Sequence, residues 1–151
     1  MPYRICKAIE IESGHMLSKH HENCKYPHGH SRRIELILES DALDANDMVC
    51  DFSVLEIALK EFFDSLDHAM CINTADPMYK AFKKTCGDRV IAFKDTDPTT
   101  EVIAKMIFDK VQESLDDYAD KKDQPYPLAR GVRFVRARVW ETSTAWAEYG
   151  L

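Results

Sequence analysis

The heptapeptide Cys24-Lys25-Tyr26-Pro27-His28-Gly29-His30 sets a thiol four residues ahead of a His-x-His pair. Side chains two apart on a β-strand point to one face, so His28 and His30 can both reach a single metal ion. Two imidazoles fixed on a strand need one further ligand to hold zinc with an open fourth position. That is the arrangement of a catalytic site rather than a closed structural one. Cys24 beside such a site would act as a thiolate nucleophile or a proton shuttle. The upstream candidates for the third ligand are His15, His20 and His21. Ile5, Ile9 and Ile11 share one phase and His15 continues it, while His28, His30, Arg32, Ile34, Leu36 and Leu38 form a second phase. Both strands then carry their histidines on the aliphatic face, which makes His15, His28 and His30 the expected zinc triad. His20 and His21 fall in the polar stretch 18–25, whose plainer reading is an exposed loop.

Two further groups could do chemistry. In Asp67-His68 a carboxylate that bonds an imidazole fixes its tautomer and raises its basicity, giving a general acid or base near neutral pH. The bland alternative is a histidine attracted to a helix C-terminus. Glu141 shares phase with Val135, Ala137 and Val139, so its carboxylate is either on the core side or a solvated charge at a strand end. On the core side it would need a partner, and a guanidine-like ligand edge would give it two donors. Thr99, Thr100 and Glu101 read as residues of a helix start.

The elements that must position these groups follow from periodicity. Strands are expected near residues 3–13 and 31–40. Leu55, Leu59, Phe62, Phe63 and Leu66 define an amphipathic helix that Asp51 or Ser53 could cap. A second helix begins near Asp97-Pro98-Thr99-Thr100-Glu101 and buries Val102, Ile103, Met106, Ile107, Val111 and Leu115. Residues 131–140 alternate as a third strand, with Arg136 and Arg138 on the face away from Val135, and a short strand runs from Ala145 to Tyr149. Strands, then helices, then strands imply an α+β fold, with helices on one face of an antiparallel sheet. Residues 69–94 lack sustained periodicity apart from a short helix at 79–84; they are a lid, an interface loop or an insertion without a chemical task.

With 151 residues, 45% hydrophobic and 30% charged, the chain is expected to fold as one domain spanning 1–151. A net charge of −6 argues against sequence-independent binding to nucleic acid. It leaves room for an anionic small substrate in a locally basic pocket. No apolar run approaches a membrane span, and Met1-Pro2-Tyr3-Arg4 does not open a signal peptide. Five cysteines without a Cys-x-x-Cys pair fit a reducing cytoplasm. Cys6 and Cys50, among apolar neighbours, read as small core residues.

Taken in order, His15, Cys24-x-x-x-His28-Gly-His30, Met48-Val49-Cys50-Asp51-Phe52, Leu66-Asp67-His68, Pro98-Thr99-Thr100-Glu101 and Trp140-Glu141-Thr142 resemble the 6-pyruvoyltetrahydropterin synthase and 6-carboxytetrahydropterin synthase family. The resemblance implies the tunnelling fold (T-fold), a four-stranded antiparallel sheet with two main helices on one face in the order ββααββ. It implies homohexamers with active sites between subunits. His15, His28 and His30 would hold Zn2+, and Cys24, Asp67 and His68 would move protons. Glu141, aided by Thr99 and Thr100, would grip the pterin of 7,8-dihydroneopterin triphosphate. The ending Val139-Trp140-Glu141-Thr142-Ser143-Thr144-Ala145-Trp146 looks more like the 6-carboxy branch, which feeds queuosine synthesis, than the 6-pyruvoyl branch. Other readings are a non-catalytic zinc or pterin-binding module, and epimerase or aldolase action on neopterin. The chain departs from the family in Ser13-Gly14 before the first histidine, in Asn73 standing about one residue late, and in a long connection from His68 to Pro98.

Overall fold

Alternation of apolar and polar residues builds two long strands, β1 (Tyr3–His15) and β2 (His28–Ser40). In the computed structural model, which describes all of residues 1–151, they pair antiparallel along their whole length, from Tyr3 opposite Ser40 to His15 opposite His28. Arg32, Ile34, Leu36 and Leu38 on β2 are fully buried, and the intervening residues are not. Helix α1 (Phe52–Leu66) follows, its N-terminus capped by the Asp51 carboxylate, which accepts from the Ser53 N–H at 2.8 Å. Val54, Leu55, Leu59, Phe63 and Leu66 form its buried stripe.

The next segment corrects the sequence reading. The short helix expected at 79–84 is present as α2 (Tyr79–Cys86), but the rest of residues 69–94 also holds strand β3 (Ala69–Asn73) and strand β4 (Val90–Phe93). β3 runs parallel to the last residues of β1, and β4 runs parallel to β3. The sheet therefore has six strands in the order β4-β3-β1-β2, continued by β5 (Arg133–Thr142) and β6 (Ala145–Gly150), and it is mixed rather than four-stranded and antiparallel. The expected ββααββ order becomes ββαβαβαββ, counting α3 (Thr100–Asp120) after β4. Both added strands are only five and four residues long. Four of the five β3 residues are buried, so no period of two is written in them.

Gly14 explains how β3 closes onto β1. A Cβ there would lie 2.9 Å from the Met70 Cε and 3.5 Å from the Ala69 carbonyl oxygen. The unusual Ser13-Gly14 and the long connection are thus one feature, since the small residue admits the strand that the connection supplies. The Thr99 hydroxyl caps α3 by accepting from the Val102 N–H at 3.2 Å. Ile103, Ile107, Val111 and Leu115 then pack with α1 and with Ile34, Leu36, Ala137 and Val139 of the sheet into one core.

The opposite face of the sheet is polar. There Glu39 binds Arg4 and Arg133, Glu148 binds Arg136 and Arg138, and the Trp140 indole donates to Glu35 at 2.9 Å. No helix is long and apolar enough to cross a membrane.

Candidate metal centre

The antiparallel register sets His15 directly opposite His28, with His30 two residues further along β2. The three imidazoles meet at the end of the β1–β2 ribbon, where one ligand atom from each lies within 4.8 Å of the others. The His15 Nδ1–H donates to the Pro98 carbonyl at 2.8 Å, and the His28 Nδ1–H donates to the Tyr26 carbonyl at 2.7 Å. Each bond fixes the tautomer that leaves Nε2 with a free lone pair, the usual support for a metal-binding histidine. The Nε2 atoms of His15 and His30 stand 3.1 Å apart. Two nitrogen ligands about 2.0–2.1 Å from a tetrahedral ion are separated by about 3.4 Å, so the spacing fits a shared metal. His20 and His21 stack on each other, exposed and apart from this cluster, as their loop reading expects.

Electrostatics support the neutral, ligating form. Burial lowers the His15 pKa to about 4, helped by the neighbouring Arg32 guanidinium and opposed by the bond to Pro98. Burial also lowers that of His30, again with Arg32 contributing, while Glu141 pulls the other way. An imidazole that resists protonation keeps its lone pair for a cation.

Of the two alternatives left open by its phase, Glu141 takes the core side of β5, next to the triad. Its Oε1 lies 3.8 Å from the His15 Nε2 and 3.7 Å from the His30 Nε2, and accepts a hydrogen bond from the Thr100 hydroxyl at 3.0 Å. The carboxylate thus borders the triad while remaining about one-third exposed. Thr100 is buried, whereas Thr99 spends its hydroxyl oxygen on the helix cap.

Asp67 and His68 dock on the edge of β1 immediately before it reaches the triad. The Asp67 carboxylate accepts from the Glu12 N–H and the His68 N–H donates to the Glu12 carbonyl, both at 2.7 Å. His68 adopts φ +60° to make this contact, a conformation uncommon for a residue with a side chain. The Glu12 N–H holds the Asp67 pKa below the ordinary carboxylate range, with help from His68. Asp67 Oδ2 lies 3.2 Å from His68 Nδ1, which orients a largely exposed ring. His68 shares a cleft of about 440 Å³ with His30, Gly14, Gly29 and Arg89. No hydrogen bond links the dyad to the triad.

Cys24 sits on a 3-10 turn (Asn23–Lys25) between β1 and β2, half-buried and free, outside the three-nitrogen cluster. Its loop is tied down by groups to which the sequence assigned no such task. The Asp97 carboxylate accepts from the backbone N–H of Ser18 and Lys19 and from the Asn73 amide at 2.8–3.1 Å, and Asp76 accepts from the Ser18 hydroxyl. The Leu17 N–H closes the loop onto the Cys24 carbonyl at 2.9 Å. The late Asn73 therefore serves the loop that carries Cys24. Arg32 was visible only as a cation in a buried phase, and the Pro98 and Tyr26 carbonyls left no side-chain signal at all.

The family model described as 6-pyruvoyl tetrahydropterin synthase matches residues 4–150. The 6-carboxy-5,6,7,8-tetrahydropterin synthase of Aquifex aeolicus is 30% identical to the chain, the match covering 99% of the chain and 98% of the relative. The protein of the same name from Haemophilus influenzae is 26% identical over 97% of the chain and 98% of the relative. Among solved structures, an uncharacterized protein from Wolinella succinogenes superposes with a TM-score of 0.75 at 21% identity, over 99% of this chain and 98% of that one. The 6-pyruvoyltetrahydropterin synthase of Plasmodium vivax gives 0.71 at 16% identity, over 100% and 99%. These last two likenesses establish a shared fold. With the sequence matched almost end to end, the chain belongs to the 6-pyruvoyl tetrahydropterin synthase family of lyases.

Proposed function

We propose that the chain is a zinc-dependent 6-carboxy-5,6,7,8-tetrahydropterin synthase. It would convert 7,8-dihydroneopterin triphosphate and one water into the 6-carboxy product, breaking the bond between the first and second side-chain carbons and releasing triphosphate and acetaldehyde, in the cytoplasmic synthesis of queuosine and related deazapurines. The observation that carries this reading is the convergence of His15, His28 and His30 beside the Glu141 carboxylate. Relatives that bear the synthase's name support the choice of reaction.

Residues 1–151 would act as one catalytic domain, six copies forming the working assembly. His15, His28 and His30 would hold zinc, which when bound supplies Lewis acidity toward the substrate's side-chain hydroxyls. Cys24 takes up a side-chain proton as base or shuttle. Asp67 orients His68, whose Nε2 exchanges a second proton. Glu141 offers its carboxylate to the N3–H and 2-amino edge of the pterin, a pair of donors matched to it as an Arg fork would be. Thr99 and Thr100 border that subsite. Reduction of the pterin ring balances oxidation of its side chain, so the electrons stay within the substrate.

Product identification by mass, after incubating zinc-loaded protein with 7,8-dihydroneopterin triphosphate, tests this reading. A 6-carboxy product with acetaldehyde is expected. A 6-pyruvoyl product would move the enzyme to the branch that retains the three-carbon side chain.

A second reading comes from the same carboxylate. Glu141 within 4 Å of two imidazoles could close the metal site as a fourth ligand, leaving a zinc-binding module without turnover. Glu141→Gln separates the two: retained zinc with weakened pterin binding favours the synthase, and lost zinc favours the module.

A further inference from the structure

Arg32 is a fully buried guanidinium beneath the metal centre, and no carboxylate pairs with it. Its one well-formed hydrogen bond runs from Nη1 to the Thr100 hydroxyl oxygen at 3.1 Å. Its Nη2 lies 3.4 Å from the His15 Nδ1, but that nitrogen already donates its proton to Pro98 at 2.8 Å and cannot also accept. Its Nε has no partner. Burying a cation with so few bonds is costly, and apolar residues of similar size commonly replace such charges without loss of stability. Only Glu141, reached through Thr100, and more weakly Cys71 offset this buried charge, so stability gives little reason for arginine at this position.

Direction of donation gives one. Arginine can only donate, so Thr100 Oγ1 must accept from it and turn its own proton elsewhere. That proton goes to Glu141 Oε1 at 3.0 Å. Thr100 of α3 bridges Arg32 on β2 and Glu141 on β5, accepting from the first and donating to the second. Three elements thus fix one carboxylate oxygen, and the other is left to accept from a ligand.

We infer that Arg32 is a positioning residue that acts through Thr100 to aim Glu141, so that the site presents an acceptor-only edge and selects pterins carrying a 2-amino donor. The inference rests on the reading of Glu141 as the pterin anchor given above. A 2-oxo ring, as in lumazine, offers a carbonyl at that position and is repelled by the fixed carboxylate.

The test measures the affinity of zinc-loaded protein for pterin and for lumazine, together with zinc content and Tm. Wild type is expected to prefer pterin. Thr100→Val, which removes only the hydroxyl, and Arg32→Met are each expected to weaken pterin binding by about tenfold, the scale of one lost charge-assisted hydrogen bond, and to narrow the preference over lumazine. Thr100→Ser is expected to retain both. Zinc stays at one per chain, and Arg32→Met leaves Tm unchanged or raised. Pterin binding unaltered in Thr100→Val overturns the inference while leaving the site reading intact. Failure of wild type to bind pterin overturns both. If Arg32→Met does not fold, the two Thr100 variants decide alone.

Discussion

At the scale of single residues, the groups that would hold a metal are distinct from those that would move protons. His15 and His28 spend Nδ1 on the Pro98 and Tyr26 carbonyls and so keep Nε2 for a ligand. Cys24 lies outside the cluster of ligand atoms. Cys24→Ala is therefore expected to leave zinc at one per chain while turnover falls about 10²–10⁴-fold, the usual worth of a proton-transfer group. Metal analysis and initial rates on the same preparation check this, and loss of zinc would make Cys24 a ligand.

The depressed His15 pKa also has a thermodynamic sign. In chelator-treated protein, the unfolded chain takes up a proton on this imidazole near pH 6.5, and the folded chain does so only near about 4. Its contribution to stability is complete above pH 6.5 and is lost as the pH falls toward 4. Tm of metal-free protein should decline across that window, more steeply than in His15→Gln, and equal slopes would remove His15 as the cause. The triad was legible in the sequence because a period of two carries side chains to one face. Arg32 was not, because only its partners, distributed over β2, α3 and β5, reveal why a charge sits in a buried phase.

At the scale of elements, the features that depart from the expected pattern resolve into one structural unit. Gly14 admits β3, β3 supports β4, and Asn73 at the end of β3 joins Asp97 in holding the loop that carries Cys24. Asp97→Ala removes the acceptor for two backbone N–H groups and an amide, and is expected to cost about 1–3 kcal/mol. It should also lower turnover with zinc retained. Urea unfolding and rates measure the two effects, and destabilisation with unchanged turnover would reduce the hub to a structural tie. The long strands, α1 and α3 could be read from periodicity because each has one buried face over several turns or pleats. β3 and β4 could not, since they are short, run parallel in the added part of the sheet and show no regular alternation.

At the scale of the whole molecule, the sheet has unfinished edges. β3 covers only Ser13–His15 of β1, so residues 3–11 of that strand lack a partner on their outer side, and β6 ends the other side of the sheet. Open edges of this length favour pairing with further copies. A hexamer would appear in light scattering at six times 17.4 kDa, and a monomer at micromolar concentration would contradict assembly through these edges. An oligomer could not be read from one chain's periodicity, because the groups that would satisfy these edges would belong to other copies.

The central claim is that His15, His28 and His30 hold the ion on which the reaction depends. Triphosphate release from 7,8-dihydroneopterin triphosphate should therefore be followed in chelated protein and again as zinc is titrated back. The account predicts no release without metal and full recovery at one zinc per chain. Release undiminished by chelation, or none at full zinc occupancy, would contradict it.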